Sequence, residues 1–256
     1  MSGKYTPQAF VADLHGLLVF MTRLPLPRLA GGSNLARALR LAPLAGLVVG
    51  AMTGAVFWLA VALGLPAPLA ALLAVLSGLL LTGALHEDGL ADCADSLGVH
   101  GASDRQRQAK RLAVMRDSRI GAFGACALIF SIALRAAALA ALEEPGLVFA
   151  ALLAAHAGGR GILPLVMLAL APAGGGFAAT LGRMQNGDVL LALGLLAVIL
   201  IALFGWLGLA VLGLVLAVAA ASALWAKRAF GGFTGDVLGA IEQLGEIAVL
   251  VLLAAA

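Results

Sequence analysis

The chain has 256 residues, 62% of them hydrophobic and only 11% charged, with a formal net charge of +3, and its mean hydropathy is +1.07. So small a charged share excludes an ordinary soluble domain, and in so apolar a chain the cationic excess sets orientation in a membrane rather than binding nucleic acid. Cys93 and Cys126 stand in separate segments without a partner at metal-ligand or redox spacing, so neither a disulfide framework nor a zinc site is expected.

The first apolar run, 10–21, is interrupted by Asp13 and His15 and ends in Arg23-Leu-Pro-Leu-Pro27, with no small-residue cleavage site. It predicts a short amphipathic or re-entrant helix that stays attached, not a signal peptide. Seven Leu/Ala/Val-rich runs follow, at 41–63, 67–85, 120–142, 146–170, 189–204, 207–226 and 237–256. Each is near the roughly 20 residues that cross a hydrocarbon core of about 30 Å. The Gly/Pro turns at 64–68, 143–146 and 205–208 contain no Lys or Arg, whereas fourteen of the sixteen cations lie before the first run or in the alternate connections. The other two, Arg135 and Arg160, lie inside runs. The positive-inside rule then places the N-terminus and every long polar loop in the cytoplasm and the C-terminus outside. The expected fold is all-α: a single domain over 1–256, a polytopic membrane helical bundle of about seven spans plus the short N-terminal helix. No internal repeat is evident, which disfavours a secondary transporter.

The polar segments carry the chemistry. In Leu85-His-Glu-Asp-Gly-Leu-Ala-Asp-Cys-Ala-Asp-Ser-Leu-Gly98 a helix would place Asp88, Asp92 and Asp95 on one face. Three carboxylates so placed repel unless a cation sits against them, and hard oxygen ligands select Mg²⁺, Mn²⁺ or Ca²⁺. A solvated acidic loop salt-bridged by the following arginines is the plainer alternative, but it has no need of one-face spacing. His86 is a candidate general base or a helix-end residue, and Glu87 points about 100° away from Asp88. Ser103 with Gln106 predicts a capping box opening a basic helix whose Arg107, Lys110 and Arg111 share one side, able to bind substrate phosphates but more commonly used to face anionic lipid.

Next, Met115-Arg-Asp-Ser-Arg-Ile-Gly-Ala-Phe-Gly124 sets Arg116, Asp117, Ser118 and Arg119 before a Gly-rich helix start. That is a suitable anion seat, with Asp117 as a further metal ligand, or else a set of interfacial charges that ends a span. Phe230-Gly-Gly-Phe-Thr-Gly-Asp-Val-Leu-Gly239 opens the last span from the same side. Its glycines let a phosphate approach near Thr234, and Asp236 is either a helix cap or a metal ligand. Glu242 and Glu246 lie one turn apart inside that span, where ionised groups need partners, and Arg135, His156 and Arg160 are the candidates.

Four segments in order resemble the cobalamin synthase family, also called adenosylcobinamide-GDP ribazoletransferases: Phe20-Met-Thr-Arg-Leu-Pro-Leu-Pro27, His86-Glu-Asp-Gly-Leu-Ala-Asp-Cys-Ala-Asp95, Met115 to Gly124, and Thr234-Gly-Asp-Val-Leu-Gly-Ala240. The resemblance implies a multi-pass enzyme of the bacterial cytoplasmic (inner) membrane, its site facing the cytoplasm. It would join adenosylcobinamide-GDP to α-ribazole or its 5′-phosphate, releasing GMP, with Mg²⁺ as cofactor and other enzymes of the pathway as membrane neighbours. Asp88, Asp92, Asp95, Asp117 and Asp236 would hold the metal, with His86, Asp88 and Asp92 catalytic and Arg116, Ser118, Arg119 and Thr234 on substrate phosphate. Where family members often carry an apolar residue after the histidine, this chain has Glu87. Two other classes fit the sequence less well. A CDP-alcohol phosphotransferase-like enzyme fails because Asp88-Gly leads to Leu-Ala-Asp, not Ala-Arg, and a carrier would keep its polar groups near the midplane.

Overall fold

A computed structural model describes residues 6–27, 34–117, 119–182 and 184–256, excepting the Phe177 side chain. The regular elements are α1 (Pro7–Met21), α2 (Leu35–Ala38) running through a 3-10 turn (Leu39–Leu41) into α3 (Ala42–Ala62), α4 (Ala67–Thr82), α5 (Leu85–Ser96), α6 (Asp104–Val114) and α7 (Ala122–Leu142). Then come α8 (Pro145–Gly161), α9 (Leu163–Ala169), α10 (Phe177–Leu181), α11 (Asn186–Phe204), α12 (Trp206–Phe230) and α13 (Gly235–Ala254). Among the described residues six stretches are long and apolar enough to cross a membrane, and α4 with α5 makes a seventh if that pair, bent by 92°, counts as one. The protein is an all-α multi-pass membrane bundle. The seven expected runs coincide with these stretches, and the short helix before them is α1.

The second run stops earlier than its composition implies. Gly83 and Ala84 both take left-handed backbone, at φ +67° and +57°, which ends α4 and sends α5 off along a new axis. Glycine adopts this conformation freely, while an alanine pays about 1–2 kcal/mol for it. The Arg23 guanidinium fills the space that a Cβ on Gly83 would need, and the Arg23 amide donates to Leu81 O at 2.7 Å. The segment after α1 therefore seals the bend. The sides of α5 that carry Glu87, Asp88, Asp92 and Asp95 are too acidic to face lipid.

The contacts agree with spans that alternate in direction. α3 lies against α8 so closely that a Cβ on Gly50 would come 2.6 Å from Leu152 O, the small-residue packing that membrane helices use. α8 and α13 run antiparallel, His156 meeting Glu246 and Arg160 meeting Glu242. α7 and α13 run parallel, Ser131 meeting Gln243 and Arg135 meeting Glu246. Ends that the charge bias puts on one side come together: Asp13 of α1 is 2.7 Å from Arg37 and 3.1 Å from Arg40, and Arg40 is 3.6 Å from Asp188 at the start of α11.

Gly83→Val adds a strained backbone and a clash with Arg23, and is expected to lower the melting temperature in detergent sharply. Ala84→Gly should leave it equal or higher. A comparable fall for both variants would show that the bend does not depend on left-handed backbone.

Candidate active site

α5 packs on both α13 and α7, and it turns two sides to different surroundings. Gly89 meets the first turn of α13 so tightly that a Cβ there would lie 2.5 Å from Asp236 O. That contact brings Asp236 beside the outer side of α5. Asp88, Asp92 and Asp236 line one cleft of about 520 Å³ with Arg116, Asp117 and Arg119 of the loop after α6. Asp92 is partly buried there, beside the carboxylates of Asp88 and Asp236.

Asp95 is not in this cleft. Its carboxylate accepts the Gly121 amide at 2.7 Å and the Gly124 amide at 2.8 Å, satisfying amides that the start of α7 leaves open. The face expected to hold three aspartates thus presents two. The anion seat expected at this helix start is filled by the chain's own carboxylate. Thr234 is likewise engaged as a cap: its Oγ1 accepts the Val237 amide at 3.1 Å, starting α13 so that Asp236 falls in the first turn. Asp117 and Arg119 pair at 2.6 Å on the exposed rim, and hydrogen bonding from Arg119 holds the Asp117 carboxyl down at about 2. Ser118 lies outside the described residues.

The inner side of α5 enters the bundle. Arg135 of α7 donates from Nη2 to Glu87 Oε1 and from Nη1 to Glu246 Oε1, both at 3.1 Å. Glu246 Oε2 is 2.9 Å from His156 Nδ1, and Arg160 pairs with Glu242. His86 closes the ring, its Nδ1 3.4 Å from Arg160 Nη2 and 3.6 Å from Glu242 Oε2. All seven side chains are buried. Three carboxylates face two guanidiniums and two imidazoles. Glu242 and Glu246 thus find the three partners expected for them. His86 does not take the place expected for a base: it is 4% exposed and points into the bundle, away from the cleft. Glu87 belongs to both regions, lining the cleft while Arg135 holds its Oε1.

The two acidic clusters differ in what they can hold. Among the described residues, the one trio of metal-type side chains converging within 4.8 Å is His156, Glu242 and Glu246. Arg135 and Arg160 already neutralise it, so a divalent cation there would meet two guanidiniums. Asp88, Asp92 and Asp236 do not close into a cage, yet they share a cleft, and among the described residues no guanidinium is bound to them. An open carboxylate set suits Mg²⁺, which retains water and takes substrate phosphate oxygens as its remaining ligands.

The pattern of the cobalamin-5-phosphate synthase family matches residues 13–254. Similar proteins named adenosylcobinamide-GDP ribazoletransferase occur in Bradyrhizobium diazoefficiens, 44% identical over 99% of this chain and 97% of the relative, and in Mesorhizobium japonicum, 42% identical over 96% and 93%. The protein of that name from Azorhizobium caulinodans is 44% identical over 94% of each chain. No solved structure matches.

Removing one partner of a buried ion pair strands the other charge, at about 3–5 kcal/mol. Arg135→Leu, which strands Glu87 and half of Glu246, is therefore expected to destabilise the protein by about that amount in detergent unfolding. Asp117→Asn on the rim should leave stability unchanged. Equal effects of the two would show that the buried ring does not hold the bundle.

Proposed function

This chain belongs to the cobalamin-5-phosphate synthase family, and from that premise we propose that it joins adenosylcobinamide-GDP to α-ribazole, or to its 5′-phosphate, with release of GMP. The observation that carries the reading is the cleft in which Asp88, Asp92 and Asp236 stand with Arg116 and Arg119. Carboxylates able to hold a cation beside guanidiniums able to grip phosphate are what a diphosphate-bearing substrate requires. The cleft is built from segments that the charge bias assigns to one side, so we place it on the cytoplasmic face of the bacterial cytoplasmic membrane.

In this reaction a ribose hydroxyl oxygen of α-ribazole bonds to the phosphorus on the cobinamide side of the diphosphate. The bond from that phosphorus to the bridging oxygen breaks, GMP leaves with that oxygen, and the hydroxyl proton passes to solvent. We assign Mg²⁺ to Asp88, Asp92 and Asp236, with no part for Asp95; when bound it supplies charge neutralisation at the diphosphate oxygens. Arg116 and Arg119 would contact phosphate through planar guanidiniums, which Lys does not reproduce. Asp117 steadies Arg119 at the rim. Glu87, pinned by Arg135, keeps the aspartates on the cleft side of α5. His86 stabilises the bundle and takes no proton from substrate.

Purified protein in lipid, given Mg²⁺, adenosylcobinamide-GDP and α-ribazole, is expected to form a cobalamin and GMP in equal amounts. Asp88→Asn or Asp92→Asn, which keep size and remove charge, should lower turnover about 100-fold or more while the protein still inserts and folds. Neither product from folded protein in lipid would overturn the assigned reaction. Undiminished turnover after chelation of Mg²⁺ would overturn the metal alone.

A further inference from the structure

A groove runs down the outside of the bundle between α12 and α13, away from the aspartate cleft. Its upper section, about 400 Å³, lies under the back of α5, between Leu90, Cys93 and Leu97 and the Trp225 and Leu244 side chains. Its lower section, about 650 Å³, continues between Leu214 and Val218 of α12 and Ile247 and Val251 of α13. Ala221, Ser222 and Leu244 line both sections. Apart from Ser222, the side chains that line these sections are apolar. Along α13 the lining runs from Ala240 to Ala255, roughly 22 Å at 1.5 Å per residue. That is about three quarters of a hydrocarbon core roughly 30 Å thick, so the trough is at least as deep as one leaflet.

At the end where α12 leaves the membrane, the groove meets a basic mouth. Ala221 and Trp225 are shared with a hollow of about 570 Å³ lined by Arg107 and Arg111 of α6 and Arg228 of α12. α6 is fastened there by Gln108 Nε2 donating to Arg228 O at 3.1 Å and Arg111 Nη1 donating to Ala229 O at 3.4 Å. Asp104 is paired with Arg107, which leaves a net two positive charges at the mouth. Arg111 Nε is buried with no hydrogen-bond acceptor, and the Arg228 guanidinium has no partner among the described residues. Trp225 sits between apolar and basic sections, at the level where amphipathic rings collect at a membrane surface.

We propose that this groove is a binding site for one anionic glycerophospholipid, its phosphate held by Arg107, Arg111 and Arg228 and an acyl chain lying between α12 and α13. Three features select this occupant: an apolar trough at least one leaflet deep, cations lining its membrane-surface end, and N–H groups of Arg111 and Arg228 left without acceptors among the described residues. Guanidiniums suit phosphate oxygens, and a neutral headgroup would leave the mouth's charge uncompensated. A second copy of the chain would have to bring anionic groups to the same mouth. The site does not depend on the reaction assigned above. Because Leu90, Cys93 and Leu97 are the back of the helix that bears Asp88 and Asp92, a bound lipid also packs α5 from behind.

The test is native mass spectrometry of the full chain released from detergent containing equal phosphatidylglycerol and phosphatidylcholine. One phosphatidylglycerol should be retained about tenfold more than phosphatidylcholine, which corresponds to about 1.4 kcal/mol. Arg111→Gln with Arg228→Gln should bring the two lipids to parity, and Ser222→Trp should block the trough and reduce retention of both. If the tryptophan variant fails to fold, the arginine pair, which lies outside the trough, still decides the matter. Equal retention of the two lipids by the unaltered chain, or a preference that survives in the arginine variant, would overturn the proposal. Displacement of phosphatidylglycerol by millimolar inorganic phosphate would show a free-phosphate seat instead, and a lipid-free pair of chains would show that a second copy covers the groove.

Discussion

An ionised side chain taken out of water must bring its partner with it, and the centre of this bundle obeys that constraint with seven side chains from four helices. His86 and Glu87 come from α5, Arg135 from α7, His156 and Arg160 from α8, and Glu242 and Glu246 from α13. None is dispensable on its own, because a lone buried charge costs more than a well-made pair returns. Apolar faces alone would let membrane helices slide or rotate against one another, since lipid is as good a neighbour as leucine. The ion pairs remove that freedom.

The consequence for chemistry lies on the other side of α5. Glu87 and Asp88 are consecutive, so fixing Glu87 on Arg135 turns Asp88 about 100° away, toward the cleft. Gly89 then lets α13 approach, which supplies Asp236 as the third carboxylate of the cleft. Asp95 does a different job at the far end of the helix. By accepting the Gly121 and Gly124 amides it ties α5 to the start of α7, and so positions the loop bearing Arg116 and Arg119. Acidic residues on a single helix thus divide between holding the bundle, lining the cleft and capping a neighbour.

Much of this was legible in the residues alone. The span count followed from length and hydropathy, and the alternation of basic connections with ones free of Lys and Arg matched the way the ends meet, as at Arg40 and Asp188. Glu242 and Glu246 one turn apart in an apolar run called for cations, and the run of Arg135, His156 and Arg160 inside other spans supplied them. What could not be read was which neighbour each side of α5 would meet. Helical period puts Asp95 on the face of Asp88, but seven residues along the axis is roughly 10 Å, and over that distance the neighbour changes from α13 to the start of α7. His86 looked like a base because it is a lone histidine beside aspartates; its ring turns inward to Arg160, a residue 74 positions away. The Asp13, Arg37, Arg40 and Asp188 cluster was likewise invisible, since it joins segments whose adjacency no local pattern reports.

The cation seat proposed is Asp88, Asp92 and Asp236, assembled from two helices, and not the single-helix set that includes Asp95. Mn²⁺ titration followed by electron paramagnetic resonance, with Mn²⁺ standing in for Mg²⁺, measures this directly in the folded protein without substrate. One bound ion is expected in the unaltered chain, lost in Asp92→Asn and in Asp236→Asn, and kept in Asp95→Asn. A bound ion that survives Asp236→Asn but disappears with Asp95→Asn would contradict the claim.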